Sequence, residues 1–166
     1  AAGDQCAVEP YMNCGECFPC RKGATNCCES LEVIGVHKDG GMRERFVLPA
    51  RKLHASAKLS MEQLALVETL GIGCHCVDRA APAKDDKVLV IGAGPIGLSV
   101  VEFLKVAGAE ITVMDMNETR LAFCDSPMGM DHTVVFKNDG TEADRLREVT
   151  GGELPTTVID ATGSHV

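Results

Sequence analysis

Five cysteines, Cys14, Cys17, Cys20, Cys27 and Cys28, fall within 15 residues. Cys14-x-x-Cys17-x-x-Cys20 followed by Cys28 supplies four soft thiolates, enough to close a tetrahedral site. Zinc accepts four sulfurs without redox chemistry and then has no open position, so the site reads as structural. The other readings are an iron–sulfur cluster or reduced cysteines with no metal, and Cys27 competes with Cys28 for the fourth place. Gly15, Pro19 and Gly23 allow the turns that bring backbone N–H groups toward the sulfurs, and Arg21 and Lys22 are placed to offset the charge of a tetrathiolate.

A second group has the chemistry of phosphate binding. Val88-Leu89-Val90-Ile91 runs into Gly92-Ala93-Gly94-Pro95-Ile96-Gly97, and a helical pattern at Leu98, Val101 and Leu104 follows. In a strand–turn–helix of this kind Gly92 makes the tight turn, Gly94 lets a pyrophosphate approach the backbone and Gly97 lets the helix pack on the sheet. The helix N-terminus adds partial positive charge. Asp115 lies 18 positions after Gly97, at the end of the next apolar run, where a carboxylate takes the ribose hydroxyls. That favours NAD over NADP, with Arg120 nearby as the residue that keeps NADP open. The structural alternative is an α/β turn with no nucleotide.

The elements that must position these groups come in two grammars. Up to about residue 58 the chain reads as short strands at Gln5 to Val8, Leu31 to Val36 and Arg45 to Val47 among Gly- and Cys-rich turns. From Ser60 the apolar residues recur at helical spacing, and Ser60 with Gln63 fits a capping box. Lys84 to Asp86 then break the chain, so a first domain is expected over 1–83 and a second over 84–166. In the second, strands at 87–91, 110–115, 133–136 and 156–161 alternate with helices at 95–107, 117–126 and 142–149. Such alternation predicts an α/β fold with a doubly wound parallel sheet, here partial because only four strands are present and the last is left as an open edge.

Composition agrees with a folded chain. Of 166 residues, 45% are hydrophobic and 24% charged, which suffices for a core. A formal charge of −8 argues against nucleic acid or an anionic membrane as partner and leaves a small molecule. No apolar run reaches the roughly 18 residues of a membrane span, and the N-terminus lacks the pattern of a secretory signal, so the cytoplasm is the expected compartment. None of the five histidines has a partner at the spacing of a catalytic set, and His75 cannot share one metal with its helix neighbours Cys74 and Cys76. Cys6 and Cys124 read as small buried hydrophobes, and Met114, Met116, Met128 and Met130 as filling and loop residues.

Taken jointly, the cysteine cluster, Gly35-Val36-His37-Lys38-Asp39-Gly40-Gly41, Ala65-Leu66-Val67-Glu68, the glycine turn and Asp115 resemble the zinc-dependent medium-chain alcohol dehydrogenases. Within them the chain is similar to the sorbitol, threonine and sugar-acid branch, and Asn26 to His37 with Val158 to Gly163 looks like the galactonate type. The resemblance implies part of a β-rich, GroES-like catalytic domain with a structural zinc lobe, then a partial NAD-binding Rossmann domain. It assigns the lobe to Cys14, Cys17, Cys20 and Cys28, and the cofactor site to Gly92, Gly94, Pro95, Ile96, Gly97, Asp115 and Arg120. Glu68 matches the carboxylate that in relatives binds the catalytic zinc or faces it through water or substrate, although Thr69 replaces the usual proline after it. The family's other catalytic ligands, a cysteine and a histidine, would lie before Ala1, so this segment alone is expected to be inactive. The implied reaction is oxidation of a secondary alcohol of a polyol or sugar acid by hydride transfer to NAD, in a homo-oligomer. Further departures are Met42 and Arg45, where the family generally carries aromatics, and Pro127 to Met130, where Gly-Ala-Asp is usual. The competing readings are a non-catalytic zinc- and dinucleotide-binding module and a zinc-free quinone-type reductase.

Overall fold

The structure, a computed structural model, describes residues 2–164; His165 lies outside the described residues. Two compact units divide the chain, Ala1–Glu68 and Thr69–Val166. The division falls inside a helix, upstream of the break at Lys84 to Asp86 that the sequence suggests.

In the first unit the ladders are short because turns interrupt the chain every few residues. Strand β1 (Cys6–Val8) pairs antiparallel with β4 (Leu53–Ala55), placing Ala7 opposite His54. Strand β2 (Tyr11–Met12) pairs antiparallel with β3 (Glu32–Val33), placing Tyr11 opposite Val33. The expected strand over Leu31 to Val36 is confined to β3, since Gly35, at φ +88°, turns the chain and its N–H bonds back to the Lys38 carbonyl at 2.8 Å. Arg45 to Val47 is not a strand at all. It finds no ladder partner among the described residues, and Val47 is 96% exposed; β-branched and aromatic residues favour a strand only where a neighbour completes the sheet. Cys6 is half-buried rather than buried. The single helical turn α1 (Phe18–Arg21) is entered at Cys17.

Helix α2 (Met61–Ala80) starts with the capping box. The Gln63 N–H donates to Ser60 Oγ at 3.2 Å, and the Ser60 N–H donates to Gln63 Oε1 at 2.9 Å, so two otherwise orphaned donors are satisfied reciprocally.

The second unit is built on a four-stranded parallel sheet. Strands β5 (Lys87–Ile91), β6 (Glu110–Asp115), β7 (His132–Val135) and β8 (Thr157–Asp160) lie in the order β7-β6-β5-β8. Helices α3 (Pro95–Ala107), α4 (Glu118–Asp125) and α5 (Glu142–Val149) connect them. The unbroken apolar run of β5 follows from burial on both sides. Val88 and Val90 meet Val100, Val101, Leu104, Leu121 and Cys124 in one core cluster, while Leu89 joins Met114, Val134 and Leu146 in another. The strand order is that of the first four strands of a doubly wound sheet, and β8 is paired on its β5 side alone among the described residues. No described helix is long and apolar enough to cross a membrane.

Candidate metal centre and dinucleotide turn

The cysteine lobe is assembled by β2, α1 and the turn that precedes β3. Cys14 leaves β2, Cys17 caps α1 and Cys20 lies within it. A single turn of 3-10 helix at Thr25–Cys27 then delivers Cys28 inward, 8% exposed, and leaves Cys27 facing solvent. The sulfurs of Cys14, Cys17, Cys20 and Cys28 all lie within 4.8 Å of one another, with 4.0 Å between those of Cys14 and Cys20. Metal–sulfur bonds of about 2.3 Å in a tetrahedron set sulfurs roughly 3.8 Å apart, so the group fits a tetrathiolate metal with little adjustment. Backbone N–H groups already point at the sulfurs. Cys17 donates to Cys14 Sγ at 3.3 Å, Glu16 to the same sulfur at 3.5 Å, and Cys14 to Cys28 Sγ at 3.3 Å.

These donors hold the Cys14 thiol down to about 6, the Cys17 N–H contributing most, and the Cys14 N–H lowers Cys28. Cys17 goes the other way. The N–H groups of Glu29 and Cys20 favour its thiolate, but desolvation and the neighbouring thiols outweigh them and push it up to about 11. Four sulfurs this close cannot all carry charge without a cation among them. The side chains expected to offset that charge are engaged elsewhere, Arg21 on the Glu16 carbonyl and Lys22 5.8 Å from the centre of the Phe18 ring. In their place Asn13 brings its amide to Cys20 Sγ at 3.7 Å, and Arg51 holds the Asn13 carbonyl at 3.1 Å. Neither residue stands out in the sequence, because neither is part of the cysteine spacing.

At the glycine turn the close approaches are measurable. Gly92 sits at φ +102°, which an L side chain rarely adopts. A Cβ on Gly97 would lie 1.8 Å from the Gly92 carbonyl oxygen, so α3 meets the turn without room for a methyl group. A Cβ on Gly94 would meet nothing within 4 Å. The space in front of Gly94 is therefore open, and no side chain caps the first N–H groups of α3, where Pro95 opens the helix. That cradle fits a pyrophosphate. Ile96 is 37% exposed beside it.

Asp115 ends β6 and is 8% exposed. Its Oδ2 accepts the Ala93 N–H of the turn at 2.7 Å and its Oδ1 accepts the Asn117 N–H at 2.8 Å. The carboxylate thus fastens the glycine turn to the end of the second strand, a duty its sequence position does not reveal. Arg120 Nη1 stands 3.9 Å from Asp115 Oδ2 with a largely exposed side chain.

Glu68 is half-buried on α2, and its partner is an aromatic residue of β2. The Tyr11 hydroxyl donates to Glu68 Oε1 at 2.6 Å. That bond, then burial, then the negative charges of Glu68 and Glu9 push the phenol up to about 12. Of the described histidines, His37 Nδ1 accepts the Val33 N–H at 2.8 Å, His54 faces Glu9 at 3.5 Å, His132 faces Glu110 at 3.3 Å and His75 is exposed. None joins a metal-binding group among the described residues.

Comparison with known proteins matches both units. Residues 1–58 match the alcohol dehydrogenase GroES-like domain and residues 95–166 the zinc-binding dehydrogenase family. The L-galactonate-5-dehydrogenase of Escherichia coli K12 is 39% identical over 163 residues, 98% of this chain and 47% of that protein. An L-arabinitol 4-dehydrogenase of Aureobasidium melanogenum is 38% identical over 166 residues, 97% of this chain and 45% of that protein. A crystal structure of an alcohol dehydrogenase from E. coli CFT073, complexed with the cofactor NADH, superposes with a TM-score of 0.88 at 34% identity, covering 98% of this chain and 48% of that one. The chain spans about half the length of the curated relatives it matches. With a GroES-like unit, a Rossmann-type sheet and these relatives, the chain belongs to the zinc-type medium-chain alcohol dehydrogenases.

Proposed function

We propose that the chain is a segment of a zinc-containing, NAD-dependent dehydrogenase that oxidises a secondary alcohol of a polyol or sugar acid. The observation that carries the reading is one chain holding both a preformed four-cysteine cluster and an open glycine turn fastened by Asp115. The expected boundary at residue 84 belongs to the same reading, with the lobe and Glu68 on the catalytic side and the turn on the cofactor side.

Cys14, Cys17, Cys20 and Cys28 hold a structural zinc, whose four-sulfur shell leaves no position for substrate. The N–H groups at the start of α3 take the pyrophosphate across Gly94, and Asp115 takes the adenosine ribose hydroxyls while keeping its bond to Ala93. Ile96, exposed beside the turn, and Arg120, near Asp115, would help to hold the cofactor. A bound catalytic zinc would supply a Lewis acid for the alcohol oxygen, and NAD would supply the hydride acceptor. Glu68 would contribute a carboxylate to that zinc, directly or through water, with its Oε1 held by the Tyr11 hydroxyl. Glu68 is the one residue of this chain assigned to that site, so turnover is expected of a longer polypeptide rather than of this segment alone. The complete enzyme is a soluble cytoplasmic homo-oligomer whose partner is a small alcohol rather than nucleic acid or membrane.

The test combines metal content with turnover. The chain binds one zinc and reduces no NAD, whereas a polypeptide extended to the relatives' length binds two and reduces NAD with polyols or sugar acids. A full-length protein that binds one zinc and is inert toward every secondary alcohol would leave a non-catalytic binding module in its place.

A further inference from the structure

We infer that Tyr11 is a positioning residue for Glu68, fixing one carboxylate oxygen so that the other alone is presented to the metal or to the substrate alcohol. The inference rests on the reading of Glu68 given above. The two residues are 57 positions apart, and the 2.6 Å bond between them is the sole hydrogen bond or ion pair reaching the Glu68 side chain among the described residues. Oε2 receives no hydrogen bond or ion pair from a described residue. An unrestrained glutamate samples many rotamers and can offer either oxygen or both; a donor on Oε1 selects one rotamer and a single-oxygen mode of binding.

The phenol comes from a well-held position. Tyr11 follows Pro10, is paired through β2 with Val33, and lies three residues before Cys14, the first sulfur of the metal lobe. The lobe that anchors β2 thereby also fixes where the phenol stands, which gives the four-cysteine cluster a part in shaping a site to which it supplies no ligand.

The composition supplies the probe. The chain has one tyrosine and no tryptophan, so its intrinsic emission comes from Tyr11, and a phenol bonded to a carboxylate is quenched. In the zinc-loaded chain, Glu68→Gln and Glu68→Ala are expected to raise that emission. In a polypeptide of the relatives' length, Tyr11→Phe keeps the lobe's zinc, loosens the second zinc about 10- to 100-fold and lowers kcat while KM for NAD stays unchanged. Emission indifferent to both Glu68 variants overturns the inference and leaves the role of Glu68 standing. Raised emission together with full zinc retention and turnover in Glu68→Gln removes the catalytic reading of Glu68, and the inference falls with it. Raised emission with a Tyr11→Phe enzyme that keeps its second zinc and its kcat also overturns it, because the bond then positions nothing.

Discussion

The three glycines of the turn do different things, and two single substitutions separate them. In Gly97→Ala the new Cβ lies 1.8 Å from the Gly92 oxygen, where ordinary contact begins at 3.4 Å, so helix and turn must part by about 1.6 Å. That movement opens the packing of α3 on Val88 and Val90. Overpacking of this severity costs about 3 kcal/mol, which in a unit of this size lowers Tm by roughly 12 °C or more. Gly94→Ala places its Cβ in open space at φ −85° and ψ −178°, a conformation alanine adopts freely. Weaker capping and the smaller unfolded-state entropy of alanine offset each other, so stability stays within about 0.5 kcal/mol. The same Cβ stands where the pyrophosphate must come, so NADH binding weakens by about 1–3 kcal/mol, roughly 5- to 150-fold in Kd. Urea denaturation gives the first quantity and an NADH titration the second. A Gly94→Ala protein that is as unstable as Gly97→Ala, or that binds NADH like the parent, would refute the division of roles.

Three further outcomes are expected. Zinc binding at pH 7 releases fewer than four protons per metal, since Cys14, held down to about 6, is already mostly thiolate; calorimetry in buffers of different ionisation enthalpy counts them, and a full four would contradict the lobe's geometry. The Ala93 and Asn117 N–H groups meet different oxygens of Asp115, so in Asp115→Asn one of them faces the amide NH2 donor to donor; the variant is destabilised by about 1–3 kcal/mol and has a narrower preference for NADH over NADPH, and an unchanged ratio in competition binding argues against its ribose role. Asp139 is held down to about 2, first by the Thr141 hydroxyl and then by Arg145. A carboxyl with a depressed folded-state value stabilises fully above its unfolded value of 3.8 and loses that contribution as pH falls through about 2. Asp139→Asn should therefore lack this limb of the acid unfolding curve, and identical acid limbs for the two proteins would remove the interaction.

Much of the second unit was legible from pattern. Strand β5 is buried on both faces, so its apolar run stands out in one dimension, and β5, α3, β6 and α5 begin and end where periodicity places them. In the first unit the same method misplaces Arg45 to Val47 and overlooks β2 and β4. Those strands are two or three residues long, too short to show a period, and whether such a segment is a strand depends on a neighbour supplied from elsewhere in the chain.

By itself the sequence determined the local devices: the spacing of four thiols, the glycines that allow a strand to turn into a helix, and the carboxylate at the end of the second strand. Each is encoded within a few residues, because turn conformation and ligand reach are local properties. Spacing left Cys27 and Cys28 open and the family resemblance favoured Cys28, whose sulfur the fold places within 4.8 Å of the other three. Tertiary structure alone turns the Asp115 carboxylate onto the Ala93 N–H and brings Tyr11 to Glu68. A hydrogen bond across 22 or 57 residues has no signature in spacing; it exists only once packing has brought distant segments within about 3 Å of each other.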